Sequence, residues 1–401
     1  CDSMVDGGIH TPNHRWVVAA ALAEAFTAFG LERHRRRALQ WLVEGIDVTP
    51  EGEYTERSNG TYNPIVNNCL IVLADHLKRP DLLDPVRRNL DLMLYMMHPD
   101  GDMVTDYSTR QDRTARARNT AYYLAYKTLA VRDGNGAFAA LADSILDRER
   151  SSGALAGSLA YFLLDPALRR DSVPRRPLPD DYDRLVRGPG VARIRRGSRS
   201  ATIVSGFPSF FSLRHGELAL ETTSLITAFF GKGQFVSPSL EKLGRRYVLA
   251  QNLDAHYYDA LTTGEFQPGV WSAADRETKR RRTNTQKLAV RIAVAEIDSG
   301  FRLSLAVDGP KGLPVLLTLG FRSGVKLEVV PGAALSTAHD DMFLERGYAL
   351  ARAGRFALRF GPGRRDHTLV NMRGAASFPA QQRIHLAWRA PVREAVSLQC
   401  V

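Results

Sequence analysis

Four places in the sequence gather side chains able to bind an anion or move a proton. The first is "HTPNHRW" at 10–16, where Asn13, His14 and Arg15 stand directly before the apolar run "VVAAALAEAFTAFG". Thr11 can cap a helix there and Pro12 suits its first position. The polar trio then fills a first turn whose outward N–H groups and positive dipole end favour a negative ligand. The second is "EYTERSNGTYN" at 53–63, with Tyr54, Glu56, Arg57, Asn59 and Tyr62 around a Ser-Asn-Gly-Thr turn. The third is "DGDMVTDYSTRQDR" at 100–113, where Asp102, Asp106, Tyr107, Arg110 and Gln111 crowd one connection. The fourth is "FFSLRHGELALE" at 210–221. Phe211, Leu213 and His215 alternate there, which puts the histidine on one face of a strand among apolar neighbours. Each place has a plainer reading: a solvated helix start, a loop held by its own hydrogen bonds, a charged connection, a structural histidine.

Several common chemistries find no motif. The sequence has no phosphate-binding Walker loop, no dinucleotide glycine fingerprint, no HExxH and no GxSxG. Its three cysteines, Cys1, Cys69 and Cys400, are far apart and odd in number, so they suggest neither a metal motif nor a disulfide framework. Cys69, in "NNCLIVLADHL", reads as a buried small hydrophobe. No apolar run reaches the length of a membrane span. Starting at Cys1, in what reads as mid-domain, the chain is expected to have a processed or incomplete N-terminus, so a missing signal peptide says nothing of export.

Formal charge is +11 over 401 residues, and it is uneven. Residues 1–165 hold 18 basic and 22 acidic side chains; residues 166–401 hold 36 and 21. A basic second half, with its densest cluster at "TKRRRTNT" (278–285), suits an anionic partner such as an acidic polysaccharide, though a solvated arginine-rich face would look the same. No zinc finger or RNA-binding aromatic motif points to nucleic acid.

Two periods organise the elements that must position these residues. Over 10–165 apolar residues recur every three or four positions, punctuated by Gly and Pro, which predicts helices paired as hairpins. The predicted helices include 63–77, 81–97, 114–131 and 136–149. The long connections at about 47–62 and 98–112 carry the polar clusters, as functional loops in helical domains tend to do. Residues 166–190 contain five prolines and many charges and read as a linker. From 191 to 401 the period becomes two, and many short alternating runs predict an antiparallel β-sandwich.

The order of these motifs, "TPNHRW", "SNGTYN", a Pro-rich linker, then "LRHGE" and "FFGKGQF", resembles the heparinase II/III-like polysaccharide lyases, which include the related oligoalginate lyases. The resemblance implies a multidomain α + β protein: an incomplete (α/α) toroid of helical hairpins over 1–165, lacking its N-terminal part, and an antiparallel β-sandwich over 191–401. It implies β-elimination on a uronic-acid-containing acidic polysaccharide, with a periplasmic or secreted setting. Tyr62 would be the catalytic tyrosine, protonating the leaving oxygen. Asn13 and His14 would hold or neutralise the uronate carboxylate, with His14 or Tyr62 as base. His215 would complete the carboxylate clamp. Arg15, Glu56, Asn59, Arg110 and Gln111 would contact substrate.

No metal or organic cofactor is required for that chemistry. Family members can carry a metal-ligating histidine two residues after the strand histidine. Here that position is Glu217, which leaves Glu217 with His256 as candidates for a metal site and a structural divalent metal open. Two other readings fit parts of the sequence. A glycoside hydrolase would use Asp102 and Asp106 as paired carboxylates, and a non-catalytic protein would grip an acidic glycan through its basic half.

Overall fold

A computed structural model describes residues 2–170, 172–261, 279–338, 341–379 and 382–401. Cys1 and Thr278, both named in the sequence reading, lie outside these. The chain divides into two compact units, Cys1–Thr202 and Ile203–Val401.

The first unit is helical over most of its length. Its helices are α1 (Asp2–Asp6), α2 (Pro12–Phe29), α3 (Glu32–Val43), α4 (Tyr62–His76), α5 (Leu83–Met93), α6 (Tyr123–Asp133), α7 (Gly136–Glu149) and α8 (Leu159–Leu164). α2 starts with Pro12 in its first turn and stops at Gly30, whose left-handed φ of 69° lets its N–H reach the Phe26 carbonyl at 2.8 Å. Thr11 is extended, as a cap should be, but its hydroxyl accepts from the Asn13 amide at 3.2 Å instead of capping a backbone N–H. α2 lays Trp16, Ala19, Leu22 and Ala23 inward and packs on α3 and α4; the alanines permit close approach. α6 and α7 pair through a tight Gly134–Asn135 turn, where the Asn135 side chain accepts from the N–H groups of Ala137 and Phe138. The predicted helix over 114–131 begins only with a 3-10 turn at Asn119–Tyr122. Arg116 and Arg118 are drawn into ion pairs with Asp102, and those tertiary contacts override the local period.

The stretch 166–190 holds a 3-10 turn at Pro166–Arg169 and strand β1 (Asp181–Val186), which pairs antiparallel with β2 (Val191–Arg196). The division between units falls inside β3 (Arg199–Val204). Arg193 of β2 is fully buried. Its guanidinium donates to the carbonyls of Tyr95, Met97 and Ala201 and to the Thr202 hydroxyl, at 2.6 to 3.1 Å. One side chain therefore fixes the exit of α5 and the start of the 98–112 connection.

The second unit is built of strands: β4 (Phe211–His215), β5 (Leu218–Thr227), β6 (Glu241–Leu243), β7 (Arg246–Tyr258), β8 (Arg282–Ile297), β9 (Gly300–Asp308), β10 (Pro314–Phe321), β11 (Lys326–Val329), β12 (Ala334–Ala338), β13 (Asp341–Arg346), β14 (Ala349–Ala353), β15 (Phe356–Gly361), β16 (Gln382–Arg389) and β17 (Val392–Cys400). Its strands lie in two sheets, β4-β5-β10-β16-β13-β12 and β11-β14-β15-β17-β9-β8-β7-β6. Phe211 of β4 meets Phe301 of β9, and Phe321 of β10 meets Phe360 of β15, both pairs with centroids 5.4 Å apart. These contacts join the two sheets through a shared apolar core. The expected all-antiparallel pairing is corrected at β13. β13 runs parallel to β16, with Met342 opposite Ile384 and Phe343 opposite His385, and this places Phe343 in a buried cluster with Ile226, Leu316, Met372 and Ala387.

Candidate active site

Tyr62 is the first residue of α4, and the turn before it is tied down from several sides. The Ser58 carbonyl accepts the N–H groups of Thr61, Tyr62 and Asn63. The 98–112 connection adds two more ties, one of them through an Asp112 that Ser108 holds in place. Asp112 accepts the Gly60 N–H at 3.0 Å and the Ser108 hydroxyl at 2.5 Å, and the Thr109 hydroxyl donates to the Glu56 carbonyl at 2.7 Å. Between them Arg57 sits at φ 49°, a left-handed conformation that costs a non-glycine residue strain and needs such surroundings to persist. Thus the two polar loops singled out in the sequence form one structure.

A polar chain runs from α2 to Tyr62, starting at the buried Asn13 and Glu56. The Asn13 amide donates to Glu56 Oε1 at 3.0 Å, and Arg110 Nε approaches the same oxygen at 3.5 Å. The Arg110 guanidinium lies 5.0 Å from the centroid of the Tyr62 ring, and the Gln111 amide donates to the Tyr62 hydroxyl at 2.7 Å. Hydrogen bonds from Gln111 and Arg110 hold the Tyr62 phenol below its usual range, because both stabilise the phenolate. His14 is exposed one residue beyond Asn13.

Beneath this chain lies a buried hydrogen-bonded ring that sequence reasoning missed in part. Tyr107 donates to Glu53 Oε2 at 2.5 Å and accepts from the Asn59 amide at 2.8 Å. The Asn63 amide donates to Asn59 Oδ1 at 2.9 Å and to Glu53 Oε1 at 3.0 Å, which closes the circuit. Burial pushes the Glu53 carboxyl up to about 7, against the opposing pull of the Tyr107 and Asn63 donors and the Arg57 charge. A second buried chain runs alongside: the Tyr54 hydroxyl donates to Asn67 at 2.9 Å, the Asn67 amide to Asn89 at 2.8 Å, and the Asn89 amide to the Gly52 carbonyl. Gly52, at φ 97°, leaves no room for a side chain: a Cβ there would lie 2.2 Å from the Arg88 carbonyl oxygen. Glu53, Asn63, Asn67 and Asn89 were not singled out from sequence. The four-residue spacing of Asn59, Asn63 and Asn67, which puts them on one face of a helix, was the available signal.

Other expected residues go elsewhere. Asn59, expected at substrate, is fully buried in the ring. Glu56 is also buried and is engaged by Asn13 and Arg110. Arg15 is committed to Glu44 at 2.5 Å and Asp47 at 2.8 Å, packed against Trp16. Asp102 is buried, with its carboxylate held by Arg116 at 2.9 Å and Arg118 at 3.7 Å. Asp106 is half-buried.

His215 belongs to the second unit, where its ring packs edge-on against Phe356 at 5.0 Å and its Nδ1 lies 3.3 Å from the Ala357 carbonyl. Glu217 is exposed beside Gly354. His256 falls at the irregularity in the β7–β8 pairing and contacts the Thr285 hydroxyl at 2.8 Å. Among the described residues no three histidine, cysteine or acidic side chains gather as a metal site, and no helix is long and apolar enough to cross a membrane. Burial, with Glu24 adding to it, pushes the Cys69 thiol up to about 12, which keeps it protonated and unreactive.

The fold of helices followed by two large sheets matches several solved polysaccharide lyases. The chain is similar to the heparan sulfate lyase of Pedobacter heparinus (TM-score 0.55, 11% identity), covering 100% of this chain and 62% of that one. It is similar to a heparinase III gene product (TM-score 0.53, 14% identity), over 98% of this chain and 60% of that one. A third likeness is to the chondroitin AC lyase of Streptomyces coelicolor, solved with chondroitin sulphate (TM-score 0.53, 12% identity), over 100% of this chain and 62% of that one. The chain thus spans about three fifths of the length of these structures. At such identities the likeness is one of fold. No family model matches the sequence, and no curated protein matches it.

Proposed function

We propose that the protein is a polysaccharide lyase that cleaves a uronic-acid-containing chain by β-elimination. The observation that carries this reading is the Tyr62 hydroxyl, hydrogen-bonded by Gln111 and overlain by Arg110 on a loop pair that also anchors Asn13. A proton α to a carboxylate is too weakly acidic to leave while that carboxylate keeps its full charge. Donors must therefore hold the carboxylate as charge moves onto it. Asn13 supplies one, exchanging its longer bond to Thr11 for the substrate, and His14 supplies another. His14, or Tyr62 in its ionised form, takes the C5 proton. The electron pair forms the C4–C5 double bond as the C4–O bond breaks, and Tyr62 gives its proton to the departing oxygen. A lowered phenol pKa serves that exchange by bringing the two protonation states closer in energy near neutral pH.

Arg110 and Gln111 are the substrate contacts this reading retains, and an acidic glycan also suits the basic second half of the sequence. A polymer of that kind is met outside the cytoplasm, in keeping with a periplasmic or secreted enzyme. No cofactor is assigned a step. The test is a screen of acidic polysaccharides for new ultraviolet absorbance, with product masses. An unsaturated uronate at the new non-reducing end supports elimination. Saturated ends on both products would point to hydrolysis, and an unaltered polymer that still binds would leave only a glycan-binding role.

A further inference from the structure

The mechanism above leaves the buried ring unused, although it includes the residue that follows Tyr62 and one three positions before it. We propose that Glu53 is a positioning residue of this site: as a carboxylate it closes the ring with Tyr107, Asn59 and Asn63 and so fixes the first turn of α4, and its protonation opens the ring and frees the Tyr62 hydroxyl from its seat. The proposal rests on reading Tyr62 as the proton donor.

The geometry gives the reason. Both Glu53 oxygens act as acceptors, Oε2 from Tyr107 and Oε1 from Asn63, so the circuit as it stands suits the carboxylate, which has no proton to place. A proton on either oxygen adds a buried O–H donor to the ring, and that donor needs an acceptor. A candidate acceptor for the new O–H lies close by: Asn63 Oδ1 is buried and has no hydrogen-bond partner. Turning the Asn63 amide to meet it would take Nδ2 away from Asn59, and the loss would travel to the turn that carries Tyr62. The ring therefore has two hydrogen-bonded arrangements that differ by one proton.

Burial opposes the charge while the donors favour it, and the balance falls at about 7. The groups facing Glu53 are Arg57 on its own loop, Tyr107 from the 98–112 connection, Asn63 from α4, and the buried Tyr54 and Tyr122, on which the Glu53 charge acts in turn. The Tyr54, Tyr107 and Tyr122 phenols are all held well above their usual range, so none of them titrates near neutrality and Glu53 is the titrating member of this group.

The experiment labels the tyrosine ring carbons and follows Tyr62 by NMR from pH 5 to 9, together with the turnover of any polysaccharide found to be cleaved. The wild-type Tyr62 signal is expected to show a minor step near 7 below its own titration, and turnover is expected to fall severalfold below that step with little change in KM. Glu53→Gln keeps the shape and removes the proton; it should abolish the step and hold turnover at its low-pH level. Tyr107→Phe removes one donor to the carboxylate and should move the step to higher pH. That second variant decides the matter if Glu53→Gln does not fold. A step that survives Glu53→Gln unchanged, or stays in place in Tyr107→Phe, overturns the proposal. Failure to find a cleaved polysaccharide would instead count against the lyase reading, because the NMR step needs no substrate.

Discussion

The Gln111 side chain donates to the Tyr62 hydroxyl at 2.7 Å, across 49 residues of sequence. This bond couples a loop to a helix start, and it sets the acidity of the group assigned to the leaving oxygen.

Phenylalanine at position 62 keeps the ring beneath Arg110 and deletes the hydroxyl that Gln111 meets. Tyr62→Phe should lower turnover on the order of 10²–10⁴-fold with little loss of substrate affinity. The hydroxyl's loss should cost no more than about 1.5 kcal/mol of stability. Steady-state kinetics beside a denaturation curve checks both. A folded variant with near-normal turnover would remove Tyr62 from the mechanism.

Gln111→Ala should raise the Tyr62 phenol pKa, because the lost donor stabilised the phenolate. A proton donor works in its protonated form, so activity falls as pH rises through its pKa. Raising that pKa moves the alkaline limb of the rate profile to higher pH. The measurement is kcat against pH for both proteins. A limb that moves down, or not at all, would assign it to another group.

Asn13→Ala should act on binding and turnover together, since the amide meets the carboxylate in ground state and transition state alike. It also strips Glu56 of a buried donor, at a cost of about 1–3 kcal/mol. Affinity by calorimetry and stability by denaturation separate the two effects. Unchanged affinity would show that Asn13 serves Glu56 alone.

Arg193→Met keeps much of the volume and removes every hydrogen bond of the buried guanidinium. The carbonyls of Tyr95, Met97 and Ala201 lose its donors. The loss should be on the order of 3–5 kcal/mol. Arg187→Met, at an exposed position of the same hairpin's turn, should stay within roughly 0.5 kcal/mol. Denaturant midpoints for the pair test the contrast, and equal midpoints would deny Arg193 its structural role.

The candidate site was legible where its chemistry sits at the surface of loops. Tyr62, Arg110 and Gln111 stood out as polar groups crowded into two long connections, and they meet in the fold. Glu53 did not stand out, because it lies among other polar residues and its burial arises from Tyr107 and α4, which are distant or not yet folded in a local reading. Asn59 read as a surface turn residue for the same reason. Among the elements, the helix expected from residue 114 yields to the Asp102 ion pairs, which no period encodes. β1 is hidden in a Pro- and charge-rich stretch, since it buries only one residue fully and so carries little alternation. The parallel pairing of β13 with β16 joins segments some forty residues apart, and register over such a distance is a property of the packed core.

The reach of Arg193 also changes what counts as a separable piece of this protein. By element type the helical part ends near Asp165, and a fragment cut there would look complete on a secondary-structure diagram. It would lack the guanidinium that anchors Tyr95 and Met97, and with it the firm footing of the connection that carries Arg110 and Gln111. Gene fusions or recombination events that exchange the helical part would have to carry the β1–β2 hairpin along as its cargo.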